Sequence, residues 1–476
     1  MEKIIFNKTK VIATVGPASN NKQTLKELII AGADVFRLNF SHGSHEDHAK
    51  VIGYIRELNK ELGTHISILQ DLQGPKIRLN MVEEGCEVKG GDKLIISTSD
   101  TVGNAKKVST TYKQLPQDVK PGETILIDDG KIELKVDSVK KDEVVTTVVH
   151  GGPLLSKKGI NLPSSNVSAP SLTPKDIEDL NFGIENDVDW IALSFVRDPL
   201  DIIDLKIRIE AAGKDIRVVA KIEKPEAVRK IDAIIEATDA IMVARGDLGV
   251  EIEMEDVPMI QKRIINKCNL AAKPVIVATQ MLESMIENAR PTRAETNDVA
   301  NSVIDGADTV MLSAETAAGK YPVLAVKSMT RIIKSVEANY ESIYFKYAEP
   351  NPESPDFYPA SLVQNSVRLS YETQAEVIAG MTWSGFTAWK LSANRPKANI
   401  FIFTGNEKLL TIMNLIWGVR GYHFESHIST DETMAEVEKI LKKDGYLKKG
   451  DAYITMASMP IAKKYRTNMM KLKVTE

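Results

Sequence analysis

RVVAKIEKPEAVRKIDAIIEATDAIMVARGD, from Arg217 to Asp247, holds one full cycle of the pattern that decides the fold. RVVAKI from Arg217 and AIMVAR from Ala240 are short, nearly continuous apolar runs rich in β-branched residues, as strands covered on both faces should be. Between them, Pro225 to Glu236 spaces apolar residues three and four apart, the mark of an amphipathic helix. Outward from this unit the alternation recurs from the N-terminus to about Tyr340. The other strands read VIATVG from Val11, VFRLNF from Val35, ISILQD from Ile66, WIALSF from Trp190, PVIVAT from Pro274 and TVMLSA from Thr309. A further helix of the series spans Asp256 to Ala272. Eight strand–helix units imply an α/β fold, a closed (β/α)8 barrel. A doubly wound open sheet is the alternative, because periodicity alone does not establish closure.

The repeat breaks after the third strand. KLIIS, ETILI and IELKV alternate with the turn signals Gly90-Gly91-Asp92, Pro121-Gly122 and Asp128-Asp129-Gly130, the texture of an inserted all-β domain. A second boundary is the proline-rich linker Glu349 to Pro355, followed by a smaller α/β unit with strands EVIAGM, NIFIFT and AYITMA. The expected organisation is therefore a barrel over 1–72 and 170–345, a β lid over 73–169 and a C-terminal α/β domain over 356–476.

At 476 residues the chain is long enough for about three domains. A content of 43% apolar and 26% charged residues is that of a globular protein with large cores. The net charge of -4 gives no electrostatic footprint for nucleic acid. The two cysteines, Cys86 and Cys268, exclude a disulfide framework and fit a reducing compartment. Met1 to Lys10 has no apolar signal core, and no stretch reaches membrane-span length. A cytoplasmic protein with no membrane partner is expected.

Barrel chemistry sits at the C-terminal strand ends, and here those ends are polar. The second strand offers Arg37, Asn39 and Ser41 on one face. The third ends at Asp71, and the fifth carries Lys221 and Glu223. The sixth ends Arg245-Gly246-Asp247, the seventh Thr279-Gln280, and the eighth gives Ser313 and Glu315. Singly, each has an ordinary reading: Lys-x-Glu as a strand-end ion pair, Asp247 as a cap, Thr279 as a satisfied buried hydroxyl. Together on one barrel face they form a site. Glu223 and Asp247 make a hard oxygen site for Mg²⁺. Lys221 and Arg37 supply positive charge for a phosphoryl group. Gly246 allows close backbone approach to an anion. The implied ligands are a small phosphorylated acid and a divalent metal.

RLNFSHG (Arg37 to Gly43), AKIEKPEAV (Ala220 to Val228), MVARGDLGVEI (Met242 to Ile252), ATQMLESMI (Ala278 to Ile286), RPTRAE (Arg290 to Glu295) and DGADTVMLSAETAAGKYP (Asp305 to Pro322) resemble the pyruvate kinase family. The resemblance covers nearly the whole chain. It implies a barrel with a β lid and a C-terminal regulatory domain, Mg²⁺ dependence, phosphoenolpyruvate, ADP/ATP and pyruvate as ligands, and a homotetramer with RPTRAE near a subunit boundary. It assigns Lys221 to the phosphoryl group in flight, Glu223 and Asp247 to Mg²⁺, and Arg37 to the substrate phosphate. Gly246, Asp247 and Thr279 correspond to the substrate carboxylate site, with Thr279 on the proton route to the enolate. Asn39, Ser41, His42 and Arg78 correspond to the nucleotide and phosphate side.

Two departures qualify the match. Leu72, Gln73 and Lys76 resemble the K⁺-independent branch, in which the lysine ammonium replaces the ion. Asn39, Ser41, Asp71 and Leu72 then remain as the remnant of a monovalent-cation pocket, with Asp71 free to accept the Lys76 ammonium. Asp198 stands where the family has a nucleotide-contacting lysine. In the C-terminal domain, Thr382 to Thr387 aligns with a sugar-phosphate loop, equally readable as a plain strand-to-helix turn. The segment Ala457 to Tyr465 lacks the glycine-rich pattern of members activated by fructose-1,6-bisphosphate. Two rival functions are a barrel lyase acting on pyruvate enolates and a catalytically silent metabolite sensor.

Overall fold

The computed structural model describes residues 4–165, 167–346, 349–425, 429–459 and 466–476. The parallel barrel strands are Lys10–Val15, Val35–Asn39, Ser67–Asp71, Trp190–Leu193, Arg217–Ile222, Ala240–Ala244, Val275–Ala278 and Thr309–Leu312. The first pairs with the last, Lys10 opposite Thr309, so the sheet closes and the open-sheet alternative is rejected. Strand residues alternate between two apolar environments. Val11, Phe36, Ile68 and Val218 face the surrounding helices. Ile12, Val35, Leu69, Trp190, Val219 and Met242 fill the barrel interior. This double burial explains why the strands read as unbroken apolar runs.

The interior is completed by residues from the far end of the chain. Ile412 and Leu415 pack into the same cluster as the inward barrel residues. They enter from the N-terminal ends of the strands, where Trp190 Nε1 donates to the Ile412 carbonyl at 3.2 Å and Thr309 Oγ1 to the Leu415 carbonyl at 2.9 Å. The barrel is thus plugged at one end, and its polar mouth is the other. Arg395, 1% exposed, pins the same junction by pairing with Asp308 at 3.0 Å.

Helices follow the sequence reading with one difference. Pro225 to Glu236 is two helices, Pro225–Arg229 and Ile231–Ala237, separated at Lys230 with φ -101° and ψ 19°. The break lets Ala227 and then Ile231, Ile234 and Ile235 each reach the core. The predicted Asp256 to Ala272 helix runs Val257–Ala271, with Ala272 as a left-handed cap at φ 54°.

Between the third and fourth barrel strands lies a six-stranded β sheet with its own core, including Leu94, Ile125, Leu134 and Val144. KLIIS, ETILI and IELKV all fall on its strands; the long strand Glu143–His150 joins them. The C-terminal unit is a five-stranded sheet. To the three strands read from sequence it adds Val419–His423 and an antiparallel edge strand, Met469–Val474.

Truncating the plug should show its weight. Ile412→Ala, at a fully buried position, is expected to lower unfolding stability by about 2–5 kcal/mol. Urea denaturation checks this, and a change below about 1 kcal/mol would mean the barrel floor does not rely on Ile412.

Candidate active site

Strand register carries the charged side chains to one mouth. Asn39 lies opposite Asp71 on the second and third strands, and Arg37 is two residues back on the same face. Arg37 grips Asp71 through Nε and Nη2, both at 2.7 Å from Oδ2, and its Nη1 donates to Thr14 Oγ1 at 3.1 Å. Asp71 Oδ1 lies 3.2 Å from the Lys221 ammonium, which is 2.9 Å from Glu223 Oε1 and donates to Ser194 Oγ at 2.6 Å. Glu223 Oε2 accepts the Phe195 N–H at 2.6 Å. The result is a continuous chain, Arg37–Asp71–Lys221–Glu223, joining four strands through Ser194.

Nearly all of it is out of water: Asp71 and Glu223 are each 1% exposed and Lys221 8%. Burial alone would discharge these groups. It opposes the Lys221 charge, but Asp71, Glu223 and Asp247 outweigh it, so the ammonium is held more firmly than usual. Burial likewise pushes Asp71 up, and Lys221 and Arg37 reverse that, leaving it below the ordinary carboxylate range. Glu223 moves the other way, raised by burial and by Asp247 against the pull of Lys221. A carboxylate whose charge is disfavoured by a second one beside it is an arrangement a divalent cation relieves. The donor set is all oxygen, which fits a hard ion such as Mg²⁺. Among the described residues no three acidic, His or Cys side chains cluster as a ready metal cage. Such a site therefore needs waters or substrate oxygens to complete it.

The opposite rim is shaped by backbone. Thr279 and Gln280 have φ of 70° and 55°, left-handed values unusual for such residues. Arg245 holds this turn, donating to the Thr279 carbonyl at 2.7 Å while pairing with Asp298 at 2.7 Å. Thr279 Oγ1 donates to the Ala278 carbonyl at 2.5 Å and accepts the Gly246 N–H at 2.7 Å. A Cβ on Gly246 would stand 3.3 Å from Thr279 Oγ1, so only glycine permits this approach without displacement. Asp247 follows, half-buried at the cleft edge.

Beyond the rim is a cleft of about 250 Å³ between lid and barrel, walled by Lys76, Arg78 and Lys158 on one side and Arg197, Lys224 and Asp247 on the other. His42 is exposed beside it. Its pKa is lowered by partial burial and then by Lys76, Arg78 and Arg37, which marks this wall as electropositive. Arg78 Nη1 donates to the Lys157 carbonyl at 3.0 Å. Asn39 Oδ1 accepts the Ser41 N–H at 3.1 Å.

Several sequence expectations change here. Asp71 is not free for Lys76, because Arg37 and Lys221 already occupy both its oxygens. Leu72 is a buried member of the outer barrel core. Glu315 is buried and spends its oxygens on the Leu282 and Ser313 N–H groups. Asp198 caps the helix Pro199–Ala211 and pairs with Lys230 at 2.6 Å. In the C-terminal loop the Thr387 hydroxyl is buried against Thr467 at 2.6 Å, and Gly385 caps the following helix with φ 87°. Trp383 and Ser384 are exposed there. Most of the Ala457 to Tyr465 segment lies outside the described residues. Periodicity gives no sign of the parts played by Ser194, Phe195 and Asp298; only their places after strand ends or on a flanking helix mark them.

The chain matches a family model described as "Pyruvate kinase, barrel domain" over residues 6–326 and a second, "Pyruvate kinase, alpha/beta domain", over 360–473. Pyruvate kinase of Geobacillus stearothermophilus is 45% identical over 473 residues, spanning 98% of this chain and 80% of that one. That of Mycobacterium intracellulare is 43% identical over 97% of each. A crystal structure of a pyruvate kinase from Cryptosporidium parvum superposes with a TM-score of 0.92 at 36% identity, covering 99% of this chain and 96% of its own. Matched in both barrel and C-terminal sheet, and carrying this charged mouth, the chain belongs to the pyruvate kinase family.

Proposed function

We propose that the barrel mouth transfers the phosphoryl group of phosphoenolpyruvate to ADP, giving pyruvate and ATP. The observation that carries this is the Lys221 ammonium, fixed in its charged form by Asp71 and Glu223 and facing Asp247. Phosphoryl transfer asks the protein for positioning and for charge stabilisation at the moving group, and a buried fixed cation supplies both. Glu223 and Asp247 would hold Mg²⁺, which when bound neutralises phosphate oxygens. Arg37 keeps one edge on Asp71 and offers its remaining N–H donors to the substrate phosphate. Gly246, Asp247 and Thr279 line the place for the carboxylate. Thr279 Oγ1, hydrogen-bonded on two sides, is the hydroxyl on the proton route to the enolate. Asn39, Ser41, His42 and Arg78 serve the nucleotide and phosphate side. A coupled assay for ATP from phosphoenolpyruvate and ADP tests the whole reading against a lyase or a silent sensor.

The remaining features are proposed with it. The protein works in the cytoplasm as a homotetramer, with RPTRAE near a subunit boundary; a monomeric mass at micromolar concentration would refute the assembly. Among the described residues no helix is long and apolar enough to cross a membrane. A phosphorylated effector is proposed at Thr382 to Thr387, read through the exposed Ser384 and the loop N–H groups rather than the buried Thr387 hydroxyl.

Lys221→Met is expected to lower kcat by at least about a hundredfold with substrate binding retained. A steady-state comparison checks it, with the unfolding midpoint recorded alongside, and a fall under about tenfold would remove Lys221 from the transition state.

K⁺ should not be required. Lys76 is exposed on the cleft wall, close enough to His42 to depress its pKa, and supplies a tethered ammonium where an ion would otherwise be recruited. Rates in tetramethylammonium and potassium buffers of equal ionic strength should agree. Lys76→Glu should lower the K⁺-free rate and make it partly recoverable by K⁺. A wild-type rise of about tenfold with K⁺, on the order of 1.4 kcal/mol of barrier, would refute the role of Lys76.

A further inference from the structure

Glu251 ends the helix Arg245–Glu251, the segment that carries Gly246 and Asp247. Its side chain is fully buried, yet it borders the cleft. Its Oε1 receives two donors from two different parts of the molecule. Lys224 Nζ donates at 2.6 Å from the loop after the fifth strand, one residue beyond Glu223. Asn161 Nδ2 donates at 2.8 Å from the lid strand Ile160–Asn161. That strand is hydrogen-bonded into the lid sheet, Ile160 opposite Ile127 and Asn161 opposite Leu126. Asn161 is therefore part of the lid sheet. Among the described residues this is the one hydrogen bond between a lid strand and the helix Arg245–Glu251.

The connectivity has a mechanical meaning. Glu223 directly follows the paired strand end, where Ile222 stands opposite Val243, and Asp247 lies four residues past that pair on the helix Arg245–Glu251. The Lys224–Glu251 pair ties one loop to the other directly behind them. Lys224 also lies 6.0 Å over the Phe195 ring, and the Phe195 N–H holds Glu223. Glu251 Oε2 is buried and has no hydrogen-bond partner. A buried charge held on one oxygen only is costly to keep, which a purely structural tie would avoid.

We propose that Glu251 is a positioning residue that fastens the Glu223 and Asp247 loops to each other through Lys224 and to the lid through Asn161. The inference rests on the reading of Glu223 and Asp247 as metal ligands. Lid movement then changes the spacing of the two carboxylates, so the lid position and the affinity for the divalent ion are coupled, each biasing the other. Neither Glu251 nor Lys224 touches substrate in this assignment; both act through the residues they hold.

The test uses the full-length enzyme and Mn²⁺ as the probe, its binding followed by electron paramagnetic resonance in the absence of substrates. Glu251→Leu should weaken Mn²⁺ binding by about tenfold, the low end of what changes around a metal ligand cost, because Lys224 beside Glu223 loses its partner. Glu251→Gln keeps an accepting oxygen for both donors and should hold binding within about threefold. Asn161→Ala should speed amide hydrogen exchange in the lid root, 162–172, while leaving the strand Arg217–Ile222 protected. Asp247→Asn is the control on the metal assignment. If it leaves Mn²⁺ binding unchanged, the ligand reading fails and the coupling falls with it. If Asp247→Asn weakens binding while Glu251→Leu does not, the ligand reading stands and the positioning role is overturned. Unchanged lid-root exchange in Asn161→Ala would remove the lid arm.

Discussion

A buried ammonium between two buried carboxylates is the constraint on which the rest of this molecule turns. Asp71 and Glu223 are almost wholly removed from water, and an uncompensated charge in such a place costs on the order of 3–5 kcal/mol. Lys221 is the group that makes both tolerable, and Arg37 takes the second oxygen of Asp71. The four residues come from the second, third and fifth strands, and the hydroxyl that supports Lys221 follows the fourth. Such a chain closes only if those strands stand side by side in fixed register. The sheet supplies this, with Asn39 opposite Asp71 and Leu193 opposite Ala220.

A polar mouth of this kind needs an apolar foundation. Inward side chains fill the barrel beneath it, and the C-terminal unit closes the far end with Ile412 and Leu415. Water is thereby excluded from one side of the ion pairs, and Coulomb interactions at the mouth act in a lower effective dielectric than at an open surface. The charged mouth and the helical segment around Ile412 and Leu415, far apart in sequence, stand at opposite ends of one packed barrel interior.

What the sequence revealed and what it hid follow from the same physics. Strands covered on both faces leave an unbroken apolar signature, so all eight barrel strands were legible. The lid strand Glu143–His150 was not read: EVVTTVVH runs its apolar and polar residues in pairs, so the buried face of Val144, Thr146 and Val148 leaves no clean alternation. Closure was not legible, because it depends on pairing between the two ends of the repeat. Polar residues at strand ends announced the mouth but not their division of labour. Glu315 looks like Glu223 in sequence, yet it holds two loop N–H groups, while Asp71, read as a polar strand end and as part of an ion-pocket remnant, is central. Hydrogen-bond partners brought together from distant segments have no one-dimensional signature.

The same logic accounts for the acidic side chain of Asp198 close to the cleft residue Arg197. Asp198 does not face the cleft as an unpaired anion: it caps its helix and is neutralised by Lys230. A capping carboxylate at a helix start is stabilised by the backbone N–H groups it accepts from, so its field at the cleft is small. Positive charge there comes from Lys76, Arg78 and Arg197, while Lys158 and Lys224 are paired with Asp128 and Glu251. An anion at this cleft would meet positive charge from both the lid and the barrel. The charges that line the cleft thus belong to side chains set on two separate hydrophobic cores, one of the barrel and one of the lid.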